Sequence, residues 1–156
     1  MNRVVVRALT RQEIIQRLDE LAQLRIQVFA AFPYLYEGDP EYERRYLQPY
    51  VDSEQAMVVA ALDGDRLVGA ATATPMEDHA GDFQAAFAHR PEPLDSLFYC
   101  AESVLLPAWR GRGLGHRFFD LREEQARRLG RTACVFCAVI RPDDHPARPP
   151  RARSLE

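Results

Sequence analysis

Apolar positions in the first part of the chain follow a strand period and then a helix period. Residues 4–6 form a short apolar run typical of a strand, and Thr10 with Glu13 matches a capping box that begins a helix. Apolar side chains then recur at helical spacing until Pro33. The pattern therefore predicts a strand followed by one continuous helix.

The next segment predicts a second helix and a hairpin. Asp39, followed by a proline, supplies an N-cap for a short helix over residues 41–48, which we expect to end at Pro49. Two strand-like runs follow, at residues 56–62 and 67–74, and the Asp-Gly-Asp sequence between them is typical of a hairpin turn.

The second half of the chain alternates between helix and strand. Residues 82–89 indicate a short helix in a surface excursion, and the nearly continuous apolar run 97–106 indicates a strand buried on both faces. Residues 112–130 have an amphipathic helical pattern, and residues 132–140 are strand-like. A strand, helix, strand order of this length predicts a parallel pair with a right-handed crossover.

Composition narrows the class of protein. The chain has 156 residues, 47% of them hydrophobic, which fits one globular domain with a substantial core. A net charge of −3 gives no general attraction to nucleic acid or to an anionic membrane, and neither is an expected partner. Without a signal peptide or a membrane span, the expected location is cytoplasmic. Three cysteines argue against a disulfide framework.

A glycine-rich turn between the last predicted strand pair is the clearest candidate for chemistry. Gly111, Gly113 and Gly115 stand between an apolar run and an amphipathic segment, an order that suits an anion site at a helix N-terminus. A dinucleotide fingerprint would need its third glycine where His116 stands, and no lysine follows to complete a Walker loop.

The motif and its surroundings resemble a known family. Read as Arg-x-x-Gly-x-Gly from Arg110 to Gly115, with Pro107 and Trp109 before it, the loop resembles the pyrophosphate loop of the GNAT superfamily of acyl-CoA-dependent N-acyltransferases. The order of predicted elements agrees. The resemblance implies an α/β (α+β) fold, a mixed central sheet with flanking helices, shortened at the C-terminus.

The resemblance also implies acetyl-CoA, or another acyl-CoA, as co-substrate. In the family the two central parallel strands splay apart and admit the pantetheine arm. Backbone groups of Val104, Leu105 and Leu106 would then bond the pantetheine, while Arg110, Gly111, Arg112, Gly113, Leu114 and Gly115 would hold the pyrophosphate. The alternative for both arginines is an ordinary solvated loop position.

Glu102 is the candidate general base. It lies within an apolar strand run, with Cys100 and Val104 expected on the same face, and a carboxyl group in apolar surroundings tends to have a raised pKa, which suits proton removal from an amine. The family often carries a glutamate on this strand in that role. The alternative is a structural ion pair with an arginine such as Arg25.

The acceptor side is predicted between the first two helices, where the family usually forms one wall of the acceptor pocket. Tyr34, Tyr36, Glu37 and Asp39 give this segment an aromatic and acidic character that favours a cationic amine, such as a small amine or a polyamine-like acceptor, in a small molecule or a peptide. The alternatives are that the tyrosines only cap the core and that Asp39 only caps a helix.

Other candidate residues are weaker. Cys134 and Cys137 lie three residues apart on a predicted strand and should therefore point to opposite faces of it. We interpret both as core thiols rather than as a metal or redox pair. Cys100 is a less favoured candidate for an acyl-accepting thiol because no histidine is placed to activate it. The histidines show no metal-ligand spacing, and no metal is expected.

The C-terminal segment departs from the family pattern. We interpret residues 1–140 as a single acyl-CoA-binding domain and residues 141–156 as a Pro/Arg-rich tail, whose final Leu-Glu resembles a cloning remnant. An exposed edge on residues 132–140 predicts a homodimer or another covering contact. Two functions remain open at this stage: an active N-acetyltransferase acting on a primary amine, or a shortened domain that binds acyl-CoA without turnover. A nucleotide-binding module is less favoured.

Overall fold

A single mixed sheet organises the protein. The computed structural model describes residues 3–79 and 81–148. The strands are β1 (Val4–Ala8), β2 (Met57–Asp63), β3 (Arg66–Pro75), β4 (Leu97–Leu105) and β5 (Ala133–Val135), and the helices are α1 (Arg11–Gln16), α2 (Leu18–Phe29), α3 (Pro40–Asp52), α4 (Gly81–Ala85) and α5 (Leu114–Arg128). The strand order is β1-β2-β3-β4-β5, antiparallel except for the parallel β4–β5 pair. The predicted fold class is confirmed.

The first predicted helix is divided in two. The capping box is present, because Thr10 accepts from the N–H of Glu13 while Glu13 accepts from the N–H of Thr10. The helix then breaks at Arg17, where φ is −104° and ψ is 12°. The Arg17 guanidinium donates to the carboxylate of Asp65 in the β2–β3 turn at 2.7 Å, so a tertiary contact accompanies the break. The prediction of one continuous helix is therefore wrong.

The second helix begins where the sequence predicts and continues further. Asp39 caps α3, and the helix passes through Pro49 as far as Asp52. Its last turns bury Leu47 and Tyr50, which are only 2% and 1% exposed. Burial of these side chains offsets the cost of a proline inside a helix. The predicted end at Pro49 is therefore wrong.

The hairpin and the crossover agree with the sequence. β2 and β3 pair through a turn in which Gly64 has a φ of 62°. α5 ends in a Schellman motif, with Gly130 at a φ of 69° and the N–H of Arg131 donating to the carbonyl of Ala126. Phe118 and Ala126 of α5 are buried in the same core as the hairpin. The hairpin and the parallel crossover are confirmed.

Two predicted elements are shorter than expected. α4 ends at Ala85 instead of reaching residue 89, and the chain continues in tight turns ahead of Pro91. β5 contains only three residues because the chain leaves β4 after Val135. Cys134, within β5, and Cys137, after it, are both exposed, so their interpretation as core thiols is wrong.

The described part of the C-terminal tail, residues 141–148, contains neither helix nor strand but folds back on the rest of the chain. Arg141 donates to the carbonyls of Pro33 and Tyr34, and His145 lies 5.9 Å from the ring of Phe32. The predicted cloning remnant lies outside the described residues. No helix in the described part of the chain has the length and apolar character needed to cross a membrane.

Candidate functional site

The glycine-rich loop forms an open N-terminus on a long helix. Gly111 and Gly113 have φ values of 76° and 78°, a left-handed conformation that favours glycine, and Gly113 is the N-cap of the 15-residue helix α5. A Cβ added at Gly111, Gly113 or Gly115 would meet nothing within 4 Å. The first N–H groups of α5 lack intrahelical partners, and no side chain caps them. This geometry suits an anionic group.

The two loop arginines are exposed and lie against the loop backbone. Arg110 donates through Nε to the carbonyl of Leu105 at 2.9 Å, and Arg112 donates through Nη2 to the carbonyl of Ala108 at 3.2 Å. A guanidinium carries five N–H donors, so each arginine retains further donors for a phosphate.

β4 and β5 separate shortly before this loop. They pair only where Leu97–Tyr99 faces Ala133–Val135, and the rest of β4 has no strand partner on this edge in the described chain. Among the predicted pantetheine contacts, the N–H of Leu106 already donates to Val68 at 2.9 Å. The carbonyl of Leu105 accepts from Arg110. These two groups are therefore committed to protein contacts.

Two cavities meet where the strands separate. The small cavity, of about 200 Å³, lies between β4 and the segment after β5 and reaches Phe119 and Arg122 of α5. The large cavity, of about 370 Å³, reaches α2, α3 and the segment that joins them. Both are lined by Phe29, Tyr34, Ala101, Glu102, Cys137 and Ala138. Glu102 is thus positioned between two spaces of ligand size.

Glu102 belongs to a buried charge cluster. Arg25 Nη1 donates to Glu102 Oε1, and Arg25 Nε donates to Glu43 Oε2 at 2.6 Å. The hydroxyl of Tyr46 donates to Glu102 Oε2 at 2.9 Å. The residues of the ion-pair cluster are at most 9% exposed. The ion pair with Arg25 that the sequence offers as an alternative for Glu102 is present. The surroundings of Glu102 are polar at both oxygens, unlike the apolar environment that the strand pattern suggests.

The buried charges around Glu102 also shift the pKa values of Arg25 and Tyr46. Burial opposes the charged form of Arg25, yet the charge of Glu102 and the hydrogen bond to Glu43 together hold the pKa of Arg25 above its usual value. Its guanidinium carbon lies 3.9 Å from the centre of the Tyr46 ring. Burial, and then the charge of Glu102, raise the pKa of Tyr46. Arg25 is a fixed cation and Tyr46 a neutral donor.

A bulge in β4 places Glu102. Ala101 and Glu102 lie opposite the single residue Thr72, whose hydroxyl accepts from the N–H of Glu102 at 3.4 Å. Arg122 of α5 donates to the carbonyl of Glu102 at 3.1 Å and to that of Thr72 at 3.4 Å. Burial lowers the pKa of Arg122. The polar groups that the bulge exposes are therefore satisfied from α5.

The bulge also corrects one prediction from strand alternation. Cys100 lines the small cavity together with Glu102 but not the large one, and its thiol lies near Cys134 and Arg122. An inserted residue changes which side chains share a face. The hydrogen bond to Cys134, together with burial, raises the pKa of the Cys100 thiol, which does not favour an acyl-accepting role.

The predicted acceptor residues separate in the structure. Tyr34 and Tyr36 line the large cavity, whereas Glu37 is exposed and does not line it. Asp39 accepts from the N–H groups of Glu41 and Tyr42, so it acts as a helix cap. Of this segment, only the tyrosines are in a position to contact a ligand in the cavity.

A comparison with known protein families identifies the family of the chain. The family described as "Acetyltransferase (GNAT) family" matches residues 19–149. The chain belongs to the GNAT acetyltransferase family. Curated protein sequences gave no match.

Solved structures with the GNAT fold resemble most of the chain. AAC(6')-Iy in complex with the bisubstrate analogue CoA-S-monomethyl-acetylneamine has a TM-score of 0.62 and 13% identity, over 91% of this chain and 82% of that one. An aminoglycoside acetyltransferase from an uncultured soil metagenomic sample, in complex with trehalose, has a TM-score of 0.58 and 16% identity, over 87% and 78%. The ribosomal-protein-alanine N-acetyltransferase of Brucella melitensis has a TM-score of 0.57 and 17% identity, over 91% and 85%. At these identities the likeness concerns the fold.

The sequence prediction misses several residues at or next to this GNAT site. Glu43, Tyr46 and Tyr50 recur on one face of α3, and an acid on a buried helix face is a signal that points to a charged partner. The contributions of Tyr42, Tyr99 and Arg141 to the large cavity depend on the tertiary fold. Among the described residues, no group of three or more potential ligands is arranged to hold a metal ion.

Proposed function

We propose that this GNAT protein is an N-acetyltransferase that transfers an acetyl group from acetyl-CoA to a primary amine by direct attack of the amine. The observation that carries the proposal is the meeting of the two cavities at Glu102. One cavity lies where β4 and β5 separate, and the other is walled by aromatic side chains. Such an arrangement brings two substrates together and removes much of the entropic barrier to their reaction.

The cofactor side of the proposal uses the loop and the separated strand. N–H groups of residues 111–115 bind the pyrophosphate of acyl-CoA, and Arg110 and Arg112 add charge-assisted hydrogen bonds. Remaining backbone groups of residues 104–106 hold the pantetheine arm. The positive φ values of Gly111 and Gly113 and the open space beside them support this assignment.

The acceptor side uses the large cavity. Tyr34 and Tyr36 contact the amine substrate, and Glu102 accepts its proton, directly or through a water molecule. Arg25 and Tyr46 are positioning residues, because each binds one oxygen of the Glu102 carboxylate. Glu37 has no part in the proposal because it lies outside the cavity lining.

A release assay with a broad panel of amines tests the proposal. Purified protein with acetyl-CoA should release free CoA over time only when a suitable primary amine is present. A calorimetric measurement of acetyl-CoA binding accompanies it. Tight binding without turnover on any amine would overturn the proposal and favour a domain that binds acyl-CoA without catalysis.

The proposal includes a cytoplasmic location and a homodimer. Phe136, Val139 and Ile140 follow β5 and are 64%, 40% and 92% exposed, and a second copy of the chain would cover them. Light scattering at high concentration should give the mass of a dimer, whereas a strictly monomeric mass would contradict this part of the proposal.

A further inference from the structure

The charges that face the large cavity do not suit a polycation. Glu102 is the only carboxylate among the described residues that line it, and the cationic side chains of Arg25 and Arg141 line it as well. Glu43 also pairs with Arg25 but does not line the cavity. One guanidinium and two carboxylates leave a single net negative charge in the buried cluster, enough to favour one ammonium group.

Arg141 is held at the outer part of this cavity. Its Nε donates to the carbonyl of Pro33 at 2.7 Å and its Nη2 to the carbonyl of Tyr34 at 3.1 Å. Tyr34 is 40% exposed and Arg141 is half-buried, whereas Glu102 is 9% exposed. The guanidinium of Arg141 is therefore a fixed positive charge toward the rim, while Glu102 lies at the base.

Aromatic side chains make up half of the residues that line this cavity. The rings of Tyr36 and Tyr42 lie 5.9 Å apart, those of Tyr42 and Tyr46 lie 6.0 Å apart, and Phe83 lies 6.4 Å from Tyr46. Ring faces attract an ammonium group and pack well against an aromatic or aliphatic body.

We propose that the acceptor is a compact amine with one positive charge and an apolar body, and that Arg141 disfavours amines with a second cationic group. This inference rests on the proposed acetyltransferase function. An ammonium group entering first lies near Glu102, and the apolar body lies along the rings. A second ammonium at the far end then meets Arg141, a like charge that destabilises the complex. Amino sugars with several ammonium groups are accordingly poor acceptors.

The test compares two substrates of equal length. Hexylamine and 1,5-diaminopentane differ only in a terminal methyl or ammonium group. We expect kcat/KM of the wild-type protein to favour hexylamine by about tenfold or more, after correction for the two equivalent amines of the diamine. In Arg141→Gln that ratio should fall by about tenfold. Raising the ionic strength should narrow the wild-type ratio, because salt screens a charge at the rim.

Controls distinguish the role of Arg141 in acceptor selection from the proposed acetyltransferase function. Arg148→Gln removes the same charge from the same segment, but Arg148 does not line the cavity, so the ratio should stay at its wild-type value. Arg141→Met serves as a second variant if thermal melting shows that Arg141→Gln is unfolded. Acetylation of no amine would overturn the proposed function itself. Equal wild-type rates on both amines, or a ratio unaffected by both salt and Arg141 substitution, would overturn the inference alone.

Discussion

The two edges of β4 differ in how much of their length is paired with a neighbouring strand. Along the edge that faces β3, pairing extends from Gly69 to Pro75 of β3, and even the bulge at Glu102 receives hydrogen bonds from Arg122. Along the edge that faces β5, pairing covers three residues. The paired edge is complete within the fold, while the other leaves part of β4 without a strand partner among the described residues, beside the two cavities. Substitutions on the first should change stability, and substitutions beside the second should change binding or turnover.

The largest expected effect is on turnover. Glu102→Gln keeps the size of the side chain but removes the proposed base, so kcat should fall by about 100-fold or more while acetyl-CoA affinity changes by less than about twofold. Steady-state kinetics and calorimetry measure the two quantities. Glu43→Gln is the matched control, because Glu43 also pairs with Arg25 but does not line either cavity. That variant should lower Tm and largely retain kcat. Equal losses of kcat in both variants would show that Glu102 is only an ion-pair partner.

The next effect concerns the loop beside the open edge. Gly113→Val should lower acetyl-CoA affinity by about tenfold or more in calorimetry, because a β-branched residue resists the φ of 78° that shapes the loop. Gly64→Val is the matched control: Gly64 has a φ of 62°, and a Cβ at either glycine meets nothing within 4 Å. Both variants should lose a similar amount of stability, but only Gly113→Val should lose affinity. Unchanged affinity in Gly113→Val would contradict the phosphate assignment.

On the paired edge, the expected effect is on stability alone. A Cβ at Gly69 would lie 2.5 Å from Leu105 Cδ1 and 3.0 Å from the carbonyl oxygen of Val104. Gly69→Ala should therefore lower the free energy of unfolding in urea by about 1–3 kcal/mol. Gly81→Ala, whose Cβ meets nothing within 4 Å, serves as the control. Equal unfolding midpoints for the two variants would indicate that the β3–β4 contact is looser than described.

The smallest expected effect concerns the reactivity of Cys134, which lies in the short paired part of β5. A hydrogen bond from Cys100 lowers the pKa of the Cys134 thiol to about 7, although burial opposes the shift. Because the thiolate is the reactive form, alkylation of Cys134 by iodoacetamide should accelerate through pH 7 and level off above it. Mass spectrometry assigns the site, and Cys134→Ser should lose this phase. A rate that still rises steeply above pH 9 would contradict the contact between the two thiols.

The same contrast explains which features the sequence predicts. The capping box at Thr10, the β2–β3 turn and the glycines of the loop are local patterns, and the structure contains all three. Strand alternation fails at Glu102 because a bulge depends on the neighbouring strand, and the length of β5 fails because apolar residues continue after the pairing stops. The pairing of Glu102 with Arg25 is among the alternatives that the sequence offers, whereas the third member, Glu43, is missed because it joins the cluster from α3 only through the tertiary fold.

The central claim is that two substrates meet at Glu102 and that the protein transfers an acetyl group between them. Its most direct test is the simultaneous measurement of free CoA and N-acetylated amine with acetyl-CoA and hexylamine, in the wild-type protein and in Glu102→Gln. The account predicts equal molar amounts of both products, rising with time in the wild type and strongly reduced in the variant. Bound acetyl-CoA with no acetylated product from any amine, or equal product from both proteins, would contradict it.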